Sequence, residues 1–176
     1  DLAHQVLAWG REFRGSKRRP EVTISVAAFV PKPHTPFQWM GQDSIEVLKG
    51  KQNYLKERLR HPGIRFSFPR AEESFLEAVF ARGDRRLGPV LERAVDLGCQ
   101  FDSWSDQFRF DLWHRAFEEL GIDPHIYAQR HREFTEALPW DHLSPGIDSD
   151  FLRKEWHLAL QGVATEDCRW EYCSAC

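Results

Sequence analysis

The sequence predicts an α/β segment that passes into a mostly α-helical one. Two observations support this fold class. A charge-free apolar run at residues 22–30 lies between two amphipathic helical patterns, and helical patterns joined by short polar turns follow Pro69. A chain of 176 residues is long enough to bury a substantial core. We therefore predict two domains, an α/β part at residues 1–69 and a helical extension with a cysteine-rich tail at residues 70–176.

The α/β part is predicted as helix, strand, helix and strand. Apolar residues recur every three or four positions from 2 to 14, so we expect them to form the inward face of an amphipathic helix. The run Val22 to Val30 is rich in β-branched residues, which is typical of a strand covered on both faces in a parallel sheet. Residues 42–60 return to the helical period, and Ile64 to Phe68 is predicted as a second, short strand.

The helical extension contains one turn that combines structural and charged residues. Its predicted helices lie at about 72–81, 87–97, 111–120 and 151–161. Gly83 is expected to end the first helix in the left-handed conformation, and Asp84 is expected to cap the next one. Three arginines, Arg82, Arg85 and Arg86, would concentrate positive charge at this turn, which suits an anion or an acidic face of another domain.

Charge and hydropathy exclude two classes of partner. The formal net charge is -3, so the chain has no overall basic field and nucleic-acid binding is not indicated. No stretch approaches the roughly 20 apolar residues needed to cross a bilayer, and the first residues do not form a secretion signal. We predict a soluble cytoplasmic protein without membrane contact.

The segment FVPKPHTPFQW, residues 29–39, follows the first predicted strand and is a candidate ligand wall. Loops at the carboxyl ends of parallel strands bind ligands in barrels and open sheets. The prolines are expected to hold the segment extended and so to orient its polar side chains at low entropic cost. Those side chains belong to Lys32, His34, Thr35 and Gln38. Alternatively, the prolines only terminate the strand, and Phe37 and Trp39 fill the rim.

The tail carries cysteines in a C-x4-C-x2-C pattern, at Cys168, Cys173 and Cys176. Three thiols this close can converge on one soft metal ion or cluster. A closed tetrahedral site needs one more ligand, and the spacing does not distinguish zinc from an iron–sulfur cluster. The fourth ligand could be a substrate, a cysteine beyond residue 176, or one of Cys99, His142 and His157. Free thiols in the tail are the alternative interpretation.

Three stretches together resemble one family. They are SVAAFVPKPHTPFQW, FLEAVFARGDRRLGPVLERAVDLGCQFDSW and LPWDHLSPGIDSDFLRKEWHLALQGVATEDCRWEYC, and they occur in the family's order over almost the whole chain. The family is that of radical S-adenosylmethionine (SAM) proteins with an N-terminal cobalamin-binding-like domain. The resemblance implies the last helix and strands of a partial (β/α)6 barrel, followed by a helical extension with a cysteine-rich end.

The resemblance also implies cofactors and site residues. The predicted strand at 22–30 would be the last barrel strand, and the segment after it would lie beside the adenosyl group of SAM. Val30 and Pro31 would be backbone neighbours of adenine, and Lys32, His34 and Gln38 would be polar groups at the rim. The tail cysteines would form an auxiliary site for a second iron–sulfur cluster or zinc. Whether cobalamin is bound stays open.

One departure from the family concerns the catalytic cluster. The C-x3-C-x2-C motif that holds a 4Fe-4S cluster is absent from this sequence. We expect it upstream of Asp1, together with most of the barrel and the cobalamin-type domain, which would be this portion's partners within one polypeptide. The chain alone is predicted to be inactive, and the substrate is unknown. The alternative is a non-catalytic helical module that binds zinc through its tail and docks a protein or RNA through the arginine turn.

Overall fold

The structure is a computed structural model that describes residues 2–13, 20–167 and 169–170. The chain divides into two compact units. The first unit comprises Asp1–Phe29 and Asp43–Ser74, and the second comprises Val30–Gln42 and Phe75–Cys176. Residues 30–42, which we assigned from sequence to the α/β part, therefore belong to the second unit.

The first unit contains two helices and a two-stranded parallel sheet. Its elements are α1 at Leu2–Glu12, β1 at Val22–Ser25, α2 at Ile45–Arg58 and β2 at Ile64–Ser67. The two strands pair in parallel, in a register that pairs Val22 with Ile64 and Ser25 with Ser67. Helix α2 begins after Ser44, whose hydroxyl accepts a hydrogen bond from the Val47 N–H at 3.3 Å.

Two expectations about burial in this unit are wrong for the described residues. Along residues 21–30 exposure alternates, so that every second side chain, including Phe29, is exposed, and only one face of β1 is covered. The strand predicted at residues 22–30 ends at Ser25, because the strand that it pairs with, β2, ends at Ser67, two residues before Pro69. The apolar stripe of α1 is also exposed, to 69% at Leu2 and 53% at Trp9, and Phe13, directly after the helix, is 86% exposed. Leu7 is the helix residue that is buried.

The second unit is helical, and its predicted helices are confirmed. They are α3 at Ala71–Arg82, whose first turn counts with the first unit, α4 at Gly88–Asp96, α5 at Phe110–Glu119 and α7 at Ser149–Leu160. A short helix that the periodicity did not predict, α6, spans Pro124–Ala128. It begins at Asp123, which accepts a hydrogen bond from the His125 N–H at 2.9 Å, and has a proline at its first position.

The turn after α3 differs from the prediction in one respect. Asp84 caps a 3-10 turn at Arg85–Leu87, accepting from the Arg86 N–H at 2.9 Å, as predicted. Gly83, however, does not have positive φ. A Cβ at this position would lie 2.1 Å from Cδ1 of Leu87 and 2.8 Å from the carbonyl oxygen of Val79. Close packing is therefore the reason for glycine here.

Aromatic and aliphatic side chains from distant parts of the second unit form a hydrophobic cluster. It consists of Trp39, Leu138, Trp140 and Leu152, with Phe134 and Phe151 packed against it. The cluster joins the segment after β1 to the loop before α7 and to α7 itself. Among the described residues, no helix combines the length and apolar character required to cross a membrane.

Candidate functional site

The proline-rich segment is folded into turns, so the predicted extended conformation is wrong. The Gln38 N–H donates to the Thr35 carbonyl at 3.0 Å, and the Thr35 hydroxyl donates to the Lys32 carbonyl at 2.8 Å. His34 has φ of 54°, which is left-handed and uncommon for a residue with a Cβ. Since proline has no N–H, the donors of this segment are the N–H and O–H groups of its other residues, and these bond to carbonyl groups within the segment.

Gln38 is the residue that fixes this conformation. It is only 4% exposed. Its Oε1 accepts two hydrogen bonds, one from the His34 N–H at 3.0 Å and one from the indole Nε1–H of Trp140 at 2.7 Å. With the oxygen occupied by two donors, the amide nitrogen is the group that Gln38 can offer to a ligand.

Main-chain contacts hold the end of this segment against the chain at 127–132. The Arg132 N–H donates to the Trp39 carbonyl at 2.8 Å, and the Gln42 N–H donates to the Ala128 carbonyl at 2.8 Å. Gly41 lies between these two bonds in the chain, and a Cβ there would be 1.9 Å from the carbonyl oxygen of Gln129. Only glycine permits the two backbones to approach this closely.

Arg82 supports the same region from within the protein. Its side chain is fully buried, and its guanidinium donates to the carbonyls of Tyr127 at 2.7 Å, Ala128 at 2.8 Å and Arg130 at 2.8 Å. Burial lowers the pKa of Arg82 to about 10, and the nearby Arg132 and Arg130 charges act in the same direction. The prediction that Arg82 adds charge to a docking surface is therefore wrong.

Arg132 is a second buried arginine in this region. It is 4% exposed, donates to the Arg82 carbonyl at 2.7 Å, and has its guanidinium 5.1 Å from the centre of the Trp140 ring. Burial, reinforced by the charge of Arg130, lowers the pKa of Arg132. The two arginines and Trp140 thus form the rigid support behind the candidate site.

A pocket of about 290 Å³ opens beside the proline-rich segment. Its apolar wall includes Trp39, Phe134, Leu138, Leu143, Ile147 and Leu152. Its polar residues include His34, Gln38, Glu136, Asp141 and Arg153. The Trp39 and Phe134 rings meet edge to face, with centroids 4.8 Å apart, which gives the pocket a fixed aromatic side.

The charged residues of the pocket differ in their partners. Glu136 forms a bidentate ion pair with Arg130, which lowers the pKa of that carboxyl. Arg153 pairs with Asp150. Asp141 accepts a hydrogen bond from the Leu138 N–H at 2.7 Å and has no ion-pair partner among the described residues.

The structure places the predicted site residues in different surroundings. His34 and Gln38 line the pocket, whereas Pro31 is fully buried and Lys32 forms an exposed ion pair with Glu77. Val30 is half-buried, and its N–H and carbonyl make no hydrogen bond within the described part of the chain. Trp140, Arg82 and Arg132 were not predicted as parts of the site, because no local pattern distinguishes them from other anchoring or surface residues.

The predicted metal ligands Cys168, Cys173 and Cys176 all lie outside the described residues. Within the described ranges, no group of three or more His, Cys, Asp or Glu side chains is arranged to hold a metal ion. Cys99 is buried, and burial raises the pKa of its thiol to about 11, with the Asp102 and Asp111 charges adding to the effect. His142 and His157 are exposed.

Comparison with known proteins gives one similarity to report. No protein-family model and no solved structure matches the chain. The chain is similar to a curated protein of Methanocaldococcus jannaschii, Uncharacterized protein MJ0966, with 28% identity over 102 residues. The matched region is 58% of this chain and 22% of that protein, so the chain spans less than a quarter of the length of this relative.

Proposed function

We propose that this chain is the C-terminal portion of a radical SAM enzyme, whose 4Fe-4S cluster is bound by residues upstream of Asp1. The observation that carries the proposal is the sheet. Parallel sheets usually have further strands and cover on both faces, whereas the described sheet has two strands and one exposed face. Strands and helices of an upstream barrel would supply the missing neighbours and cover, in agreement with the ordered resemblance of three stretches.

Val30 supports the assignment of an adenosyl-binding wall. Val30 is half-buried, and its N–H and carbonyl have no hydrogen-bond partner among the described residues, so they form a donor–acceptor edge of the kind that would pair with an adenine ring. Pro31 cannot donate, so it leaves this edge to Val30. The residues present therefore fit the adenosyl end of SAM, and they would position it and exclude water from it.

SAM bound to a reduced 4Fe-4S cluster supplies hydrogen-abstracting radical chemistry, and the protein positions the substrate beside it. His34 and Gln38 line a pocket directly after Val30 in the sequence, so we assign this pocket to the substrate side of the site. Lys32 is assigned to the outer rim, where it pairs with Glu77. The fixed rotamer of Gln38 preorganises this wall before any ligand binds.

The test uses the natural full-length protein, prepared without oxygen and reduced with dithionite in the presence of SAM. We expect a C-x3-C-x2-C motif upstream of Asp1 and the formation of 5′-deoxyadenosine, measured by chromatography. Replacing the first cysteine of that motif with serine should abolish the product. An upstream sequence without the motif, or a fully loaded cluster that never yields 5′-deoxyadenosine, refutes the proposal.

The tail cysteines are proposed as an auxiliary site for iron–sulfur or zinc. Anaerobic reconstitution followed by iron, sulfide and zinc analysis should show less metal in Cys173→Ser than in the unmodified chain. Cys99→Ser is the matched control, because Cys99 is buried and is not expected to be a ligand. Equal metal content in all three proteins contradicts the auxiliary site. Zinc in the tail of a full-length protein without cluster chemistry favours the non-catalytic module instead.

A further inference from the structure

We propose that the pocket beside His34 and Gln38 binds an organic cation, with an apolar ring-sized body and one protonated amine held by Asp141. The claim that such a cation is the substrate rests on the proposed function. The claim that the pocket binds a cation depends on residues of this chain only. Exposed apolar residues border the pocket: Leu143 is 58% exposed and Ile147 is 39% exposed. The part of each side chain that a ligand's apolar body covered would be removed from water, which is favourable.

The charge of the pocket selects the sign of the ligand. Its lining contains two carboxylates, Glu136 and Asp141, and one guanidinium, Arg153. Glu136 and Arg153 are neutralised by their partners Arg130 and Asp150. The remaining uncompensated charge is the carboxylate of Asp141, and a protonated amine would balance it. A carboxylate or phosphate ligand would instead meet a like charge, and the charge of Arg153 is already balanced by Asp150.

Asp141 is held in place before a ligand arrives. Its Oδ2 accepts the Leu138 N–H at 2.7 Å, which leaves the second carboxylate oxygen for an N–H donor. The preceding residue, Trp140, and the residue that donates to Asp141, Leu138, are both buried in the core, at 6% and 7% exposed. A preorganised carboxylate binds an ammonium group more strongly than a mobile one, because less side-chain entropy is lost.

Gln38 adds a second requirement for the ligand. Its oxygen is occupied by His34 and Trp140, so only its amide nitrogen can contact a ligand, as a donor. The ligand should therefore carry an acceptor, such as a carbonyl oxygen or ring nitrogen, in addition to its amine. A donor at this position would face a donor.

The binding test uses the 176-residue chain, labelled with 15N, and two small probes of opposite charge. The probes are 2-phenylethylammonium and 3-phenylpropionate, which share a phenyl ring and a short chain. The indole Nε1–H resonance of Trp140 reports on the pocket because this group bonds to Gln38. We expect the cation to shift this resonance saturably, and the anion to bind at least about tenfold more weakly.

Variants test whether Asp141 provides the selectivity. Asp141→Asn keeps an oxygen for the Leu138 N–H but removes the charge, so the Kd of the cation should rise about tenfold. Glu133→Gln is the matched control, an exposed carboxylate that does not line the pocket, and it should leave the Kd unchanged. If Asp141→Asn disturbs folding, Asp141→Ser retains a capping oxygen without charge.

Binding of both probes with equal Kd, saturable binding of neither, or an unchanged Kd in the Asp141 variants refutes this inference. None of these outcomes bears on the cluster, which the assay does not contain. Conversely, a protein that binds the cation selectively but forms no 5′-deoxyadenosine at full length refutes the proposed reaction while the cation site stands.

Discussion

Replacing Arg82 with methionine should destabilise the protein by about 3 kcal/mol. The fully buried guanidinium supplies hydrogen bonds to three carbonyls at 2.7–2.8 Å. Methionine leaves the Tyr127 and Arg130 carbonyls without this donor, whereas the Ala128 carbonyl keeps its hydrogen bond from the Gln42 N–H. Each buried unsatisfied group costs roughly 1–3 kcal/mol. The substitution also removes the cost of burying a charge, which is visible in the lowered pKa of Arg82, so the net loss is smaller than the sum.

Urea unfolding followed by tryptophan fluorescence measures this loss. With a slope of roughly 2 kcal/mol per molar urea, the midpoint of Arg82→Met should fall by about 1.5 M. Arg86→Met is the matched control, because Arg86 is exposed and, among the described residues, pairs with Asp84 and the Tyr127 ring. Its midpoint should change little. A midpoint for Arg82→Met that equals that of Arg86→Met would mean that the three carbonyls do not depend on the guanidinium.

Three further predictions concern stability and thiol chemistry. Gly41→Ala should lower the free energy of unfolding by about 1–3 kcal/mol, because the added Cβ would collide with backbone atoms. Gly50→Ala, at an open position in α2, should raise it by roughly 0.5–1 kcal/mol. Thermal unfolding compares the two variants, and shifts of the melting temperature in the same direction contradict the packing argument. Cys99 in the folded protein should resist a thiol reagent at pH 8, because burial raises the pKa of its thiol to about 11. The folded Cys99→Ala variant should therefore react at the same number of cysteines as wild type. A lower number of labelled cysteines in the variant contradicts this prediction. The ion pair with Arg130 lowers the pKa of Glu136 from its ordinary 4.5. The pair therefore stabilises the fold fully above pH 4.5, and this stabilisation is lost as the pH falls through the lower pKa of the folded state. The difference in unfolding free energy between wild type and Glu136→Gln should vanish in acid, and a difference that does not depend on pH contradicts the prediction.

The helices of the second unit could be predicted because their apolar period is local. The same argument failed for burial in α1, where the period is helical but Leu2 and Phe13 are exposed. A period shows which residues share a face, and it does not show whether another element covers that face. The exposed alternate residues of β1 have the same explanation.

The support of the site could not be predicted, because it depends on distant contacts. Gln38 and Trp140 are 102 residues apart, yet one hydrogen bond between them fixes the pocket wall. Gln38 was predicted from sequence as a rim group, and no local pattern connects it with Trp140. Arg82 and Arg86 are the same residue type in one turn, and only the carbonyls at 127–130 determine that Arg82 is buried.

Gly83 illustrates a correct residue choice with a different cause. The sequence predicts a left-handed helix end, which glycine permits. In the structure the helix ends without positive φ, and the absence of a side chain is required by Leu87 and the Val79 carbonyl instead. Both causes require glycine, so the sequence is the same in either case, and only the packing in the structure distinguishes the two causes.

Electron paramagnetic resonance of the natural full-length protein tests the central proposal most directly. After anaerobic reduction, we expect a 4Fe-4S signal whose g values change when SAM is added, because on this proposal SAM would bind the open iron of the cluster beside the wall that Val30 begins. A protein without such a signal, or with a cluster signal that SAM leaves unchanged, contradicts the account.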